Sequence, residues 1–223
     1  FVSDMIEDSR KYNELKDTKD INSYILKSGG WYKLCEITRR DPETIFLPGL
    51  VKTELLSDID NFIKSQNDYI KFGIPYKRNY LISGPPGSGK TSSIVMLASH
   101  INYDIANISA GNGITDNEFA RVINSLPSKT ILVLEDIDAI FENRKGSEIG
   151  CRLTFSGLRY CLDGLTKKDS LITILTTNNI EKLDQVLLRD GRMDYIAELE
   201  NASKEQVINA LTFYFPEDDK VEQ

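Results

Sequence analysis

The stretch Gly84-Pro85-Pro86-Gly87-Ser88-Gly89-Lys90-Thr91 constrains this 223-residue chain more than any other feature. It fits G-x-x-x-x-G-K-[ST], with a short apolar run (79–83) before it and a helix-periodic run (91–100) after it. Glycines let the main chain curl so that successive N–H groups converge on an anion, and the positive end of the following helix adds to that field. Lys90 then supplies a point charge between β- and γ-phosphates, and the Thr91 hydroxyl a ligand for Mg²⁺. Strand, phosphate-binding turn and helix in that order begin a parallel α/β sheet whose ligand edge is the carboxyl end of its strands.

The rest of the pattern agrees. Runs 104–109, 130–134, 171–177 and 194–199 read as buried strands, and 50–66, 153–165 and 203–215 as helices, the last stopped by Pro216. Thr115-Asp116-Asn117-Glu118 has the form of a capping box, opening a helix with Phe119, Val122, Ile123 and Leu126 on one face. Strands apolar on both faces and separated by helices predict a parallel sheet covered on both sides, and the phosphate-binding motif makes that three-layer sandwich resemble a P-loop NTPase. Ahead of it, residues 1–20 read as a solvated helix, 21–26 and 31–37 as a hairpin turning at Gly29-Gly30, and the proline-bearing 38–48 as a linker. Trp31 and Tyr32 are expected to pack the hairpin.

Two further strand ends carry chemistry. The apolar strand at 130 runs into Glu135-Asp136-Ile137-Asp138. A carboxylate at that edge can hold Mg²⁺, and a second can take a proton from an attacking water. By position Glu135 takes the metal side and Asp136 the water, although the roles could instead follow side-chain length. Thr176-Thr177-Asn178-Asn179 closes the next strand, and Asn178 can reach the γ-phosphate or the attacking water. Arg189 and Arg192, three apart before the last strand, are candidates to stabilise developing charge at a neighbouring γ-phosphate.

Composition sets limits. Lys and Arg total 27 against 34 Asp and Glu, a net charge of −7, which repels a polyanion and disfavours a nucleic-acid partner. Cys35, Cys151 and Cys161 are odd in number without Cys-x-x-Cys spacing, and read as reduced, buried thiols of a soluble piece from a reducing compartment. No apolar run reaches the ~18 residues of a membrane span, and a chain starting at Phe1 reads as a fragment. His100 reads as a charge at a helix end, and Lys77-Arg78, Arg144-Lys145 and Lys167-Lys168 as solvated pairs.

GPPGSGKT, LEDIDAIF and TTNNIEKLDQVLLRDGRMD together resemble the AAA ATPases, the last segment being similar to that family's second region of homology. The resemblance implies ATP and Mg²⁺ as cofactors, a ring of identical subunits, Arg189 and Arg192 acting in trans, and Asn178 as the sensor. GIPYKRNYLISGPPGSGKTS, RLTFSGLRYCLDGL and SYILKSGGWYKL are similar, within that family, to the mitochondrial AAA chaperones that assemble respiratory complex III by moving the folded Rieske iron–sulfur subunit. That narrower resemblance implies a folded protein cargo and the mitochondrial inner membrane, reached through segments outside this chain. It divides the chain into residues 1–40, the end of a specific domain, and 41–223, an AAA large subdomain with its lid truncated. The alternatives are a general AAA remodelling ATPase of another compartment and a nucleic-acid motor or clamp loader. Two departures matter. Asp190 stands where the family has proline, and residues 109–114 lack the aromatic of threading pore loops, which agrees with a folded cargo.

Overall fold

A computed structural model describes residues 20–27, 29–109, 114–138, 153–163, 170–189 and 191–215. The leading helix expected over 1–20, the loop at 110–113, Cys151, Asp190 and the basic pairs at 144–145 and 167–168 lie outside the described residues.

The chain opens with the expected hairpin, β1 (Ile21–Lys27) and β2 (Gly30–Ile37). Helices α1 (Val51–Lys64) and α2 (Gln66–Phe72) follow. Then come β3 (Lys77–Ser83), α3 (Lys90–Ile101), β4 (Asp104–Ser109), α4 (Asp116–Asn124), β5 (Thr130–Glu135), α5 (Phe155–Leu162), β6 (Leu171–Thr177), β7 (Tyr195–Glu198) and α6 (Lys204–Tyr214). The seven strands form one sheet in the order β2-β1-β4-β5-β6-β3-β7, parallel except for the β1–β2 hairpin.

Alternation along each strand separates two cores. In β5, Leu132 and Leu134 join Phe119, Val122 and Ile123 of α4 and Leu158 and Leu162 of α5. Ile131 and Val133 face the other way, onto Leu55, Ile59 and Phe62 of α1 and Ile94, Met96 and Leu97 of α3. These are the three layers that strands apolar on both faces require. Burying each such side chain stabilises the fold by roughly 1.5–3 kcal/mol. The capping box is present: Thr115 accepts from the Glu118 N–H, and Glu118 accepts from the Thr115 N–H at 2.9 Å. Asp116, in the same turn, accepts from the N–H and the hydroxyl of Thr154 at the start of α5.

Several expectations change. The hairpin extends the sheet, a pairing the sequence pattern did not indicate, because β1 pairs with β4 through Ser23, Tyr24 and Ile25. The stretch 38–48 is no loose linker: Ile45 and Leu47 are buried in the core that also holds α1 and α3. Trp31 packs as expected and donates from Nε1 to the Val122 carbonyl at 2.8 Å, but Tyr32 is exposed. Cys35 is exposed rather than buried, since β2 is an edge strand with an open face. His100 sits in the last turn of α3 and meets Asp60 of α1 at 2.9 Å. Arg78 is not a solvated cation but bridges Asp58 and Asp194. Burial pulls its pKa down, yet the hydrogen bond and charge of Asp58, joined by Asp194, outweigh that and hold it above the ordinary value. The buried Tyr80 hydroxyl donates to the same Asp58 at 2.8 Å, and burial, then that carboxylate, pushes its phenol well above the usual range.

Candidate functional site

The loop 84–89 leaves β3 at the carboxyl edge of the sheet and enters α3 at Lys90. Gly84 is required by close approach: a Cβ there would lie 2.2 Å from the Leu199 carbonyl oxygen, and φ is +155°. Gly89 caps α3 at φ +101°, a left-handed conformation that turns the main chain inward with little strain only for glycine. Ser88 Oγ is buried in this loop with no hydrogen-bond partner among the described residues. A hydroxyl in that position, below a helix N-terminus, suits a ligand rich in acceptor oxygens.

Lys90 folds over the loop. Its Nζ donates to the carbonyls of Gly84 at 2.6 Å and Pro85 at 3.0 Å, and to Asn178 Oδ1 at 2.8 Å. Burial pulls the ammonium below the usual lysine range, while the charges of Asp136 and Asp138 pull the other way. The strand order explains Asn178. Strand β6 lies between β3 and β5, so the residue that follows β6 stands between the phosphate loop and the acidic strand. Asn178 Nδ2 accordingly donates to Asp136 Oδ1 at 3.1 Å, completing a chain Lys90–Asn178–Asp136.

Asp136 itself is held in a left-handed backbone, φ +51°, uncommon for a residue other than glycine though aspartate adopts it more readily than most. Thr176 enforces it here. Its hydroxyl accepts from the Asp136 N–H at 3.1 Å and its carbonyl from the Ile137 N–H at 3.0 Å. Glu135 closes β5, half-buried, and the exposed Thr91 opens the second position of α3; both are at the same edge. Asp138 accepts from the Thr177 hydroxyl at 3.2 Å.

The two arginines differ. Arg189 is exposed. Arg192 is 18% exposed, and its Nε donates to Asp163 at 2.9 Å. The structure thus brings Gly84–Thr91, Asn178, Glu135 and Asp136 to one edge, and does not bring Arg189 or Arg192 into hydrogen-bond contact with them.

Residues outside the motifs complete the surroundings. A cavity of about 220 Å³ beside Gly87, Ser88 and Gly89 is lined by Arg40, Phe46 and Leu47 from the segment after β2, and by Glu200 and Gln206. Arg40 Nη1 donates to Ser92 Oγ at 3.2 Å in the first turn of α3. Gln206 caps α6 through the Ser203 N–H and donates to the Phe46 carbonyl at 2.9 Å. The signal that could have pointed here is the apolar Ile45-Phe46-Leu47, too hydrophobic for a solvated linker. Among the described residues no group of three or more His, Cys, Asp or Glu side chains forms a metal cluster.

A hydrogen bond from the Lys90 ammonium to a phosphate oxygen would be charge-assisted and contribute about 1.5–3 kcal/mol. Lys90→Ala is therefore expected to weaken ATP binding at least ~100-fold, two such contacts being lost. Equilibrium titration of folded variant and wild type checks it, and equal affinities would remove Lys90 from the site.

The family model for the ATPase family associated with various cellular activities (AAA) matches residues 80–201, more than half of the chain. The probable mitochondrial chaperone bcs1 of Schizosaccharomyces pombe is 41% identical over 182 residues, covering 80% of this chain and 40% of that protein. Mitochondrial chaperone BCS1 of Bos taurus is 35% identical over 187 residues, 80% of this chain and 44% of that protein. Protein HYPER-SENSITIVITY-RELATED 4 of Arabidopsis thaliana is 37% identical over 167 residues, 68% of this chain and 29% of that protein. The chain thus spans less than half the length of these relatives, and among its described residues no helix is long and apolar enough to cross a membrane. A phosphate loop, an acidic strand end and a polar strand end on one parallel sheet, with a family match spanning all three, establish that the chain belongs to the AAA family of ATPases.

Proposed function

We propose that this chain is the Mg²⁺-dependent, ATP-hydrolysing core of a ring-forming chaperone that acts on a protein cargo. The observation that carries the hydrolytic part of this reading is the hydrogen-bonded chain Lys90–Asn178–Asp136, which links the phosphate loop to a carboxylate across the edge of β6. Lys90 exchanges its carbonyl partners for phosphate oxygens. Asp136 accepts a proton from the attacking water as that water bonds to the γ-phosphorus and the bond to the β-phosphate oxygen breaks. Asn178, already touching both groups, fixes the water between them. The cavity beside Gly87–Gly89 receives the nucleoside end.

The hard oxygen donors Thr91 and Glu135 fit Mg²⁺, and when bound the ion supplies neutralisation of phosphate charge. A guanidinium from the 189–192 loop of the adjacent subunit completes the site, which makes turnover depend on assembly. Residues 41–223 serve as the AAA large subdomain and 1–40 as the end of a preceding specific domain, coupled to it through the β1–β4 pairing. The names of two relatives support a mitochondrial chaperone. The alternative reading is a remodelling ATPase of another compartment; the plant relative's name gives no compartment. Microscopy of tagged full-length protein separates the two.

Assembly is tested by activity against concentration. Specific ATPase activity of the full-length protein is expected to rise over the concentration range in which light scattering reports oligomers. A flat profile from a monomeric sample would exclude the ring.

A further inference from the structure

The loop carrying the two arginines is fastened at both flanks, and the fastenings separate them. Arg192 does three things within its own chain. Its Nε donates to Asp163 Oδ1 at 2.9 Å, its Nη1 donates to the Val186 carbonyl on the opposite side of the loop, and its N–H donates to the Arg189 carbonyl at 3.1 Å. Its own carbonyl accepts from Asn79 Nδ2 at 2.8 Å. Asn79 is 1% exposed in β3, where its N–H also donates to Asp194 at 2.7 Å and its side chain to the Leu162 carbonyl at 3.2 Å. Asp194 is in turn 3.6 Å from the Arg78 guanidinium. The base of the loop is thus bound to β3 and to the end of α5, while Arg189 stands exposed above it.

We propose that Arg192 is a positioning residue that closes this loop within its own subunit, and that Arg189 alone reaches the neighbour's phosphates. The proposal rests on the ring reading above. Moving Arg192 to another subunit would break two side-chain hydrogen bonds. It would also take a cation away from Asp163, which sits just past the end of α5, where the helix dipole already disfavours negative charge. Among the described residues, Asp163 would keep only the more distant Arg159, at 3.7 Å. Arg189 has no such ties to break among the described contacts. A loop pinned at Val186 and Arg192 limits the arcs Arg189 can sweep, and such preorganisation raises turnover without touching the reacting atoms.

The test is a double-mutant cycle on the full-length protein, reading kcat and, separately, the Kd for ATP. Asp163→Asn and Arg192→Gln are each expected to lower kcat about 10- to 100-fold, as a displacement near 1 Å does. ATP affinity should be unchanged, and the double variant no slower than Arg192→Gln alone. A wild-type kcat for Asp163→Asn, with Arg192→Gln falling as far as Arg189→Gln, overturns the proposal and makes Arg192 a second trans arginine. Additive losses overturn it too. If Arg192→Gln does not fold, the near-isosteric Asp163→Asn decides alone: a lower kcat at unchanged Kd supports the proposal, and a wild-type kcat overturns it. Failure of the ring reading appears elsewhere, as hydrolysis indifferent to Arg189→Gln.

Discussion

Arg189→Ala is expected to lower kcat for ATP hydrolysis by ~10³-fold or more, with ATP affinity little changed, because an arginine supplied to a transferring phosphoryl group contributes ~10³–10⁵ in rate. The reasoning is spatial. Arg189 is exposed and makes no contact with Lys90, Asn178 or Asp136 of its own chain, so its loss leaves its own phosphate loop intact. The damage falls on the adjacent subunit. Mixing Arg189→Ala with Lys90→Ala subunits should therefore restore part of the activity, since each Arg189→Ala site can sit against an intact arginine. Steady-state kinetics of the variant and of the mixture measure both effects. Undiminished turnover in the single variant would remove the arginine from the reaction.

Asp136→Asn is expected to keep nucleotide binding and lower kcat ~10²- to 10⁴-fold, the usual span for a lost general base. The substitution preserves shape, so the contact to Asn178 at 3.1 Å and the left-handed turn fixed by Thr176 can both persist. What disappears is the capacity to accept a proton. Glu135→Gln provides the contrast. If roles follow chain position, it acts through the metal and its defect depends on Mg²⁺ concentration, whereas that of Asp136→Asn does not. Single-turnover measurement with a parallel Kd separates binding from chemistry. Normal turnover in Asp136→Asn would reject Asp136 as the base.

Local features of the fold were legible in the sequence. Strands β4 and β6 begin and end where the apolar runs 104–109 and 171–177 do, and Thr115 with Glu118 forms the capping box its spacing announces. The phosphate loop is legible for the same reason: glycine positions, lysine and the flanking elements are all contiguous. Features set by distant residues were not. Helix α2 buries none of its residues, so it has no apolar periodicity to detect. Arg78 looks solvated until the fold brings Asp58 and Asp194 to it. Ile45 and Leu47 look like linker until α1 and α3 close over them. Asn178 was legible as a candidate, but its place between Lys90 and Asp136 depends on β6 lying between β3 and β5, an order that no local pattern encodes. The left-handed Asp136 and the clamp around Arg192 are likewise products of tertiary contacts.

Calorimetric titration of folded full-length protein with Mg·ATP tests the phosphate-binding assignment most directly. The expected result is saturable uptake of one nucleotide per chain, lost or greatly weakened in Lys90→Ala. No detectable uptake by the folded wild-type protein would contradict it.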